Sequence, residues 1–310
     1  RLITGTDEHG LKMVQTAREA GVETIKLADE MSSYFIEMCN KLNINHDGFR
    51  RTSEPAHHEA SKALWKAMEA NGDLYLDRYE GWYSVRDEAF YAEGGLRDLS
   101  VSRTSFDWGV PVPGSPGHVM YVWVDALTTY MTGVGYPDTE GMFARYWPAD
   151  LHLIGKDIVR FHAVYWPAFL MSAGLPLPKQ IFGHGFLLNR GEKMSKSVGN
   201  VVDPMELAER FGVDQLRYFL LADVVFGKDG TYSADAIVTK TNADLANNFG
   251  NLAQRSLSMI AKNCDGKVPP RGEPTAAEQE LLSQLDSCFA DVKSAMTGGL
   301  FKIDQALDII

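Results

Sequence analysis

The chain has 310 residues, of which 45% are hydrophobic, and its formal net charge is −11 at pH 7. This length and apolar content suffice for a substantial core and for more than one domain. The acidic balance argues against indiscriminate binding to nucleic acids, but not against a local basic groove. No stretch of about 18 uncharged apolar residues occurs, so we expect no membrane-spanning helix.

The three cysteines are far apart and form no CxxC pair. This pattern predicts neither a disulfide framework nor a zinc knuckle, and it indicates a reducing compartment such as the cytoplasm, with an organellar matrix as the alternative. No signal peptide is visible. The chain opens on "RLITGTDEHG", an apolar strand that runs straight into a glycine turn. A natural protein rarely begins in this way, so we expect that residues precede it.

Three segments have an apolar run, then Gly or Asp, then a helical pattern: "LITGTDEHGLKMVQTA", "MYVWVDALTTYM" and "LHLIGKDIVRFHAVYWPAFL". The pattern is typical of parallel strands that lead into helices. Ligands bind at the carboxyl ends of such strands in doubly wound sheets. Asp7, Asp125 and Asp157 are therefore predicted to face one crevice. A helix N-cap is the alternative role for any one of them.

The pattern changes twice along the chain. Residues 74–118 are aromatic and rich in turns, which favours short antiparallel strands, and the chain after about Asn242 is helical in pattern. We therefore predict an α/β protein with a Rossmann-like parallel sheet at 1–73 and 119–187, split by an inserted antiparallel β-rich domain. A linking region follows at 188–241, and an all-α helix bundle follows at 242–310.

The segment "GEKMSKSVGN" holds Lys193 and Lys196 three residues apart on a loop with glycine near each end. An ammonium group on a long flexible stem suits a polyphosphate, because it can follow the phosphates as they move. Catalysis at phosphorus depends mostly on positioning and on neutralising the charge that develops. A solvated surface loop is the alternative for a KxxK pattern by itself.

The string "KMSKS" followed by "VGN" resembles the signature loop of the class I aminoacyl-tRNA synthetases. The family's other motif, HIGH, does not occur in this sequence. We attribute its absence to truncation and expect the motif among residues that precede Arg1. Five stretches resemble the methionyl branch of the family and extend over nearly the whole chain: "TGTDEHG", "YVWVDALTTY", "IGKDIVRFHAVYWPA", "HGFLLNRGEKMSKSVGN" and "NNFGNLAQR". The resemblance implies a class I catalytic domain, a connective-peptide insertion and an anticodon-binding helix bundle.

The activity that this resemblance implies is the ATP-dependent conversion of L-methionine to methionyl-adenylate and its transfer to tRNA(Met), with Mg²⁺ accompanying ATP. Two alternatives stay open. One is another class I synthetase, although the valine, isoleucine and leucine enzymes would need room for a large editing domain. The other is a synthetase-like module that binds tRNA without activating an amino acid.

Aromatic side chains recur where a methionine pocket would lie. Trp123 and Tyr130 are seven residues apart, and Ile158, His162 and Trp166 have the i, i+4, i+8 spacing of one helix face. A thioether is apolar and polarizable and is favoured against aromatic edges, although such a stripe also suits a plain core. The resemblance assigns the methionine pocket to Asp7, Trp123, Ala126, Leu127, Tyr130, Ile158, Phe161, His162 and Trp166.

The strand-to-helix turn at Gly155, Lys156 and Asp157 is predicted to bind the nucleotide. Glycine there lets the backbone approach a ligand, and an acid can bind ribose hydroxyls. The resemblance implies catalysis by Lys156, Lys193 and Lys196. It assigns ATP binding to Gly155, Lys156, Asp157, His184, Leu187, Lys193 and Lys196.

In the helical region Asn251 and Arg255 are four residues apart and share a helix face. We expect the apolar residues of the same helix to be buried, leaving this pair outward. An amide and a guanidinium can read unstacked bases, and the resemblance implies that both residues read the CAU anticodon of tRNA. An ordinary solvated helix surface is the alternative. The apolar residues concerned are Leu245, Phe249, Leu252 and Leu257.

The inserted region departs from the family. Many relatives hold zinc there with a CxxC pair, but this chain has "YSVRDE", with Ser84 and Asp87 in place of the cysteines. Serine is a poor zinc ligand and one aspartate cannot hold the ion, so we expect no structural zinc. The insertion is also shorter than usual, with an abrupt change at Glu93–Gly94.

Overall fold

The computed structural model describes most of the chain. The described residues are 1–77, 98–195, 199–297 and 302–309, together with the backbone of 82–84 and 89–91. The chain divides into two compact units, one made of residues 1–40 and 44–182 and the other of residues 41–43 and 183–310. This division is coarser than the five segments predicted from the sequence, which stay predictions.

The first unit alternates strands and helices. Its elements are β1 (Ile3–Thr6), α1 (Leu11–Ala20), α2 (Thr24–Lys41), β2 (Gly48–Arg51), α3 (Pro55–Ala70), β3 (Trp82–Ser84), β4 (Ala89–Tyr91), β5 (Ser102–Arg103), β6 (Val119–Met120), α4 (Val122–Thr132), α5 (Gly141–Tyr146), β7 (His152–Gly155), α6 (Trp166–Ser172) and β8, which begins in this unit (Ile181–His184). A 3₁₀ turn at Lys156–Ile158 and a π-helix at Phe161–Tyr165 lie between β7 and α6.

The strand β1 runs parallel to β2, with Gly5 opposite Arg50. The two backbones approach so closely that a Cβ atom at Gly5 would lie 1.8 Å from the carbonyl oxygen of Arg50. Only glycine fits there, which explains its place in the "TGTDEHG" segment. This close pairing fixes the position at which the chain leaves β1 and enters the turn that contains Asp7.

The core of the first unit lies among α3, α4 and α6, which pack against one another. Pro55 begins α3, where the missing N–H costs no hydrogen bond, and Gly21 ends α1 in the left-handed conformation with a φ of 69°. The buried apolar side chains are Ala60, Leu64, Trp65, Met68, Val110, Val112, Met120, Val124, Leu127, Met131, Val134, Tyr136, Phe143, Trp147, Trp166, Phe169 and Leu170.

The sequence predicts one split parallel sheet, whereas the strands in the described residues are hydrogen-bonded in separate small sheets. β1 and β2 form a parallel pair, and β7 pairs with β8. The segment "MYVWVD" was expected to be a parallel strand. Instead β6 has two residues, pairs antiparallel with β5, and gives way to α4 at Val122.

The second unit begins with a three-stranded sheet and continues with helices. Its elements are β9 (Leu187–Asn189), β10 (Glu192–Lys193), α7 (Pro204–Phe211), α8 (Val213–Ala222), β11 (Gly230–Tyr232), α9 (Ala234–Lys240), a π-helix (Thr241–Gly250), α10 (Asn251–Asn263), α11 (Ala276–Thr297) and α12 (Ile303–Ile309). The central strand β9 is antiparallel to β10 and parallel to β11. The anticodon-binding role of these helices stays a prediction.

Asp203 caps α7 by accepting a hydrogen bond from the Met205 amide at 2.7 Å. The following helix, α8, packs against α12, and α12 packs against α11. Within the described part of the chain, no helix is both long enough and apolar enough to cross a bilayer.

Candidate active site

The three aspartates that were predicted to end strands have different surroundings. Asp7 follows β1 and Asp157 follows β7, and both are exposed. Asp125 lies one turn inside α4 and is fully buried, so the prediction that it faces the crevice is wrong. The reason is that α4 begins at Val122, three residues earlier than the apolar run suggests, which turns the carboxylate into the core.

Asp125 is held by two imidazoles. His9 Nδ1 lies 2.5 Å from one carboxylate oxygen, and His57 Nε2 lies 2.6 Å from the other. Burial by itself would raise the pKa of Asp125, but the hydrogen bonds from His57 and His9 outweigh it and hold that pKa below its usual range. Because an ionised carboxylate only accepts, each facing ring nitrogen must carry a hydrogen.

His9 shows the opposite shift. Burial would lower the pKa of its ring, but the hydrogen bond from the ring to Asp125 raises that pKa overall. His57 also places its other nitrogen 3.0 Å from Thr132 Oγ1, at the far end of α4. The network therefore joins the turn after β1, helix α3 and helix α4 through a single buried carboxylate.

Glu8, the neighbour of Asp7, is also buried, and both of its carboxylate oxygens accept hydrogen bonds. Arg51 Nε donates to one carboxylate oxygen at 2.7 Å and the Arg51 terminal nitrogen donates to the other at 3.1 Å. Ser53 Oγ donates to the carboxylate as well, and Trp108 Nε1 donates to the Glu8 carbonyl at 2.6 Å. Bidentate pairs of this kind restrain geometry, so the turn that presents Asp7 is held rigidly.

The predicted aromatic residues do come together. Trp123 stacks on Phe161 with ring centroids 3.9 Å apart and planes 10° apart. The Trp123 ring meets the edge of His162 at 6.3 Å. Tyr130 meets His162 at 5.6 Å and lies 6.4 Å from Trp166. We call Trp123, Tyr130, Phe161, His162 and Trp166 the aromatic cluster.

The helix that was expected to hold three of these residues on one face is not a regular α-helix. A 3₁₀ turn ends at Ile158 and a π-helix spans Phe161–Tyr165 before α6 begins at Trp166. The Ile158 carbonyl lies 2.9 Å from His162 Nδ1, so the ring bonds to the carbonyl that an α-helix would give to a backbone amide. Single π turns inside helices are frequent at functional sites.

The hydrogen bond to the Ile158 carbonyl fixes the tautomer of His162. A carbonyl only accepts, so Nδ1 carries the hydrogen, and burial lowers the pKa of the ring, which favours the neutral form. Nε2 then accepts a hydrogen bond from the Tyr130 hydroxyl at 2.7 Å. The pKa of Tyr130 is raised by burial, so the phenol stays protonated. The cluster therefore presents neutral rings.

The other predicted pocket residues are distributed between surface and core. Ala126 and Ile158 are half-buried, whereas Leu127 belongs to the hydrophobic core. On the nucleotide side, Lys156 and Asp157 are exposed at the end of β7. A Cβ atom at Gly155 would lie 2.7 Å from an Asp157 carboxylate oxygen, so glycine lets that carboxylate fold back over the strand end.

In the second unit, His184 is exposed and its Nδ1 lies 2.8 Å from the Gly185 carbonyl, while Leu187 begins β9. Lys193 lies in β10 with its ammonium 4.0 Å from the centroid of the Phe186 ring. Lys196 lies outside the described residues, so its role stays a prediction.

Asn200, to which the sequence assigned no role, ties the end of the segment Gly191–Asn200, which we call the lysine loop, to residues near its start. Its Oδ1 accepts the Ser195 amide at 2.8 Å, and its Nδ2 donates to the Lys193 carbonyl at 3.3 Å. Asn189 donates in turn to the Asn200 carbonyl at 2.8 Å. The signal was visible in the "VGN" that follows the motif, because asparagine commonly bonds nearby backbone groups.

On α10, Arg255 is exposed, and Asn251 is half-buried with its amide donating to the Asn247 carbonyl at 3.0 Å. The expected buried face is wrong for three of its four residues: Phe249, in the π-helix before α10, is 60% exposed, and Leu252 and Leu257 are each 65% exposed. Leu245 is half-buried. Spacing predicts which side chains share a face, but not whether another element covers it.

Within the described residues, no group of three or more His, Cys, Asp or Glu is arranged to hold a metal ion. Ser84 lies in β3, where only the backbone is described, and Asp87 lies outside the described residues. The zinc expectation therefore stays a prediction.

Comparison with known proteins gives consistent matches. A family model described as class I tRNA synthetases (M) matches residues 1–95 and 92–257. The chain is 52% identical over 370 residues to a methionine–tRNA ligase of Brucella suis biovar 1 (strain 1330), covering 99% of this chain and 71% of the relative. It is 54% identical over 357 residues to that of Mycobacterium tuberculosis (strain ATCC 25618 / H37Rv), covering 94% and 69%.

Solved structures agree. A crystal structure of Mycobacterium tuberculosis methionyl-tRNA synthetase bound by methionyl-adenylate matches with a TM-score of 0.95 and 52% identity, covering 100% of this chain and 73% of that one. The free form of a Mycobacterium tuberculosis enzyme matches with a TM-score of 0.81 and 49% identity, covering 92% and 68%.

The sequence alignments with these relatives cover more positions than the 310 residues of this chain, so the relatives contain residues that it lacks. The two segments of the family match meet at residues 92–95. That junction coincides with the abrupt change at Glu93–Gly94 in the sequence.

Proposed function

The chain belongs to the methionyl family of class I aminoacyl-tRNA synthetases, and from this membership we propose how its own residues activate methionine and charge tRNA. The enzyme is a methionine–tRNA ligase. The methionine carboxylate attacks the α-phosphorus of ATP, the bond to the β,γ-phosphates breaks, and methionyl-adenylate and pyrophosphate form. A terminal hydroxyl of tRNA(Met) then attacks the methionyl carbonyl and AMP leaves.

The observation that supports the methionine site best is the aromatic cluster with its neutral His162. The stacked rings of Trp123 and Phe161 and the Tyr130 phenol, which donates its hydrogen to His162, form a wall without formal charge. Such a wall suits an unbranched polarizable thioether, and it would leave a charged side chain without a partner. Ala126, Leu127 and Ile158 complete the proposed pocket.

We assign the substrate ammonium to Asp7. Its carboxylate is exposed at the carboxyl end of β1, in a turn that the Glu8–Arg51 pair and the His9–Asp125 bond hold in place. Ligand groups bind at such strand ends in parallel α/β folds. A preorganised carboxylate loses less conformational freedom on binding a cation than a mobile one does.

On the nucleotide side, Gly155 and Asp157 are proposed to meet the ribose, and His184 and the backbone at Leu187 the adenine. Lys156 is proposed to face the reacting phosphate. The Mg²⁺ that accompanies ATP would screen the charge of the phosphates.

Lys193 and Lys196 are proposed to stabilise the departing pyrophosphate. In the transition state negative charge accumulates on the leaving group, and an ammonium that meets it there lowers the barrier without tightening the ground state. The exposed ammonium of Lys193 makes a cation–π contact with Phe186. We propose that it exchanges this contact for the pyrophosphate in the transition state. The proposal for Lys196 depends on the motif.

For tRNA(Met), Arg255 and Asn251 are proposed to contact the anticodon. The exposed guanidinium can stack on or bond to a splayed base. The Asn251 amide is bonded to its own helix, so it would have to exchange the Asn247 carbonyl for a base edge.

The test is ATP–pyrophosphate exchange by the purified protein with each amino acid in turn. We expect exchange with methionine and far weaker exchange with leucine, isoleucine and valine. Aminoacylation of tRNA(Met) should follow. Exchange with a different amino acid would indicate another class I specificity. Binding of tRNA without exchange would indicate a module that has lost activation, and elemental analysis of the same sample would test for zinc.

A further inference from the structure

His152 connects several members of the aromatic cluster, although the sequence analysis did not single it out. It lies on β7, and only 2% of its surface is exposed. Its ring stacks on Tyr130 with centroids 4.0 Å apart and planes 28° apart. Its Nε2 lies 3.2 Å from the indole nitrogen of Trp166, and its ring meets His162 at 6.3 Å. One side chain thus contacts three residues of the proposed methionine site.

The protonation of His152 follows from its partner. An indole N–H only donates, so the Nε2 of His152 must offer a lone pair and the ring must be neutral, with its hydrogen on Nδ1. Burial, with the nearby His162, lowers the pKa of His152 to about 3. A neutral ring is therefore present throughout the physiological range and can accept the indole hydrogen bond without interruption.

These contacts restrain two different rings. Trp166 is fully buried, and His152 is the acceptor for its indole hydrogen. The Tyr130 ring stacks on His152 while its hydroxyl donates to His162 at 2.7 Å. If the stack were lost, the Tyr130 ring could tilt and that hydroxyl bond would lengthen, because aromatic geometry is set by packing as much as by hydrogen bonds.

We infer that His152 is a positioning residue for methionine recognition, which holds the Tyr130 and Trp166 rings in place and so sets the depth of the side-chain pocket. This inference rests on the proposed function. His152 acts through its neighbours and takes no part in the chemistry. Its loss should therefore affect methionine affinity and the discrimination against longer side chains, and leave the use of ATP unchanged.

Three substitutions separate the two contacts. His152→Phe keeps a ring to stack on Tyr130 but removes the acceptor for Trp166. His152→Gln keeps an acceptor but removes the ring. His152→Leu removes both. A matched control is Phe143→Leu, because Phe143 is a buried ring in the same core that packs against Tyr136 and Trp147 and belongs to no proposed pocket.

Two readouts are needed. Calorimetry gives the methionine dissociation constant independently of catalysis. ATP–pyrophosphate exchange gives the ratio of kcat/KM for methionine to that for ethionine, which has one more methylene. This ratio does not depend on how much of the sample is folded, whereas a purely structural role would lower both values together. One methylene usually gives discrimination of about 10-fold to 200-fold.

We expect His152→Leu to weaken methionine binding by about 10-fold, the scale of one buried polar group left unpaired, and to reduce the methionine-to-ethionine ratio at least a few-fold. The Phe and Gln variants should fall in between, and they answer the question if the Leu variant does not fold. The KM for ATP should stay within two-fold of the wild-type value in all of them, and Phe143→Leu should change neither readout.

Wild-type affinity and ratio in the His152 variants would overturn this inference alone. A wild-type protein that does not bind methionine would overturn the proposed function and this inference together, and calorimetry on the wild type distinguishes the two cases. Equal losses in the His152 variants and in Phe143→Leu would show a structural role and would also overturn it.

Discussion

The aromatic cluster and the lysine loop serve the same proposed reaction with opposite physical means. The cluster consists of neutral rings held by stacking and by bonds such as Tyr130 to His162. The lysine loop presents the exposed ammonium of Lys193 on a two-residue strand, fastened by one asparagine. Selectivity for an apolar side chain benefits from rigid, dehydrated walls, whereas negative charge that appears only in the transition state is stabilised by cationic groups.

Removing the buried carboxylate should have the largest effect on the rigid side. Asp125→Ala leaves two imidazoles in the core without their acceptor, so we expect a loss of about 3 kcal/mol in the free energy of unfolding. Urea denaturation measures it. Ser61→Ala is the control, since Ser61 is equally buried and its Oγ lies 3.2 Å from His57, and it should cost about 1 kcal/mol. Equal losses of unfolding free energy in Asp125→Ala and Ser61→Ala would mean that the charge of Asp125 does not contribute to stability.

The same network makes a prediction about pH. The pKa of Asp125 is lower in the folded protein than in the unfolded chain, so its stabilisation is present above the unfolded value of about 4 and is lost as the pH falls through the folded value. The pKa of His9 is raised, so its share is present below about 6.5 and is lost as the pH rises through the folded value. The stability difference between wild type and Asp125→Asn should therefore peak between these limits, and a flat difference would contradict the assignment.

In the lysine loop, Lys196→Ala should lower the single-turnover rate of adenylate formation by about 10² or more, with little change in ATP affinity. Rapid-quench measurement with saturating methionine provides the rate. Lys179→Ala removes an exposed lysine that pairs with Asp150 at 2.6 Å, and it should leave the rate unchanged. A Lys196 variant that lost ATP affinity in proportion to rate would show that the loop binds the ground state too.

Arg255 extends the comparison to a second exposed cation. Arg255→Ala should weaken aminoacylation of tRNA(Met) by about 10-fold, the scale of a lost charged hydrogen bond, while ATP–pyrophosphate exchange stays unchanged. Lys262→Ala, another exposed cation on α10, is the control. A parallel fall in exchange would show that Arg255 is structural.

The smallest effect is expected inside the aromatic cluster. Tyr130→Phe removes the hydroxyl that donates to His162 and keeps the ring, so methionine affinity should fall by about 5-fold. Tyr136→Phe changes a buried phenol in the same core and should leave the affinity unchanged. An unchanged affinity in Tyr130→Phe would indicate that stacking alone positions the ring.

Much of the site could be predicted from local patterns. The strand-to-helix turns that contain Asp7 and Asp157 were found because apolar runs ending in Gly or Asp have a strong local signature. The aromatic cluster was found because its members recur at short spacings. His152 and His57 were missed, since neither the histidine in "LHLIG" nor the histidine pair in "PAHHEA" gives a sign of its distant partners.

The sequence by itself determined the family, the motifs and most of the helix and strand positions, because these depend on short-range spacing and on residue type. Only the tertiary structure decided that Asp125 turns inward, that a π-helix interrupts the face with His162, and that the apolar side of α10 is exposed. Each of these depends on which distant element lies against a residue. Burial and long-range hydrogen bonds set that outcome, and neither is encoded in a local pattern.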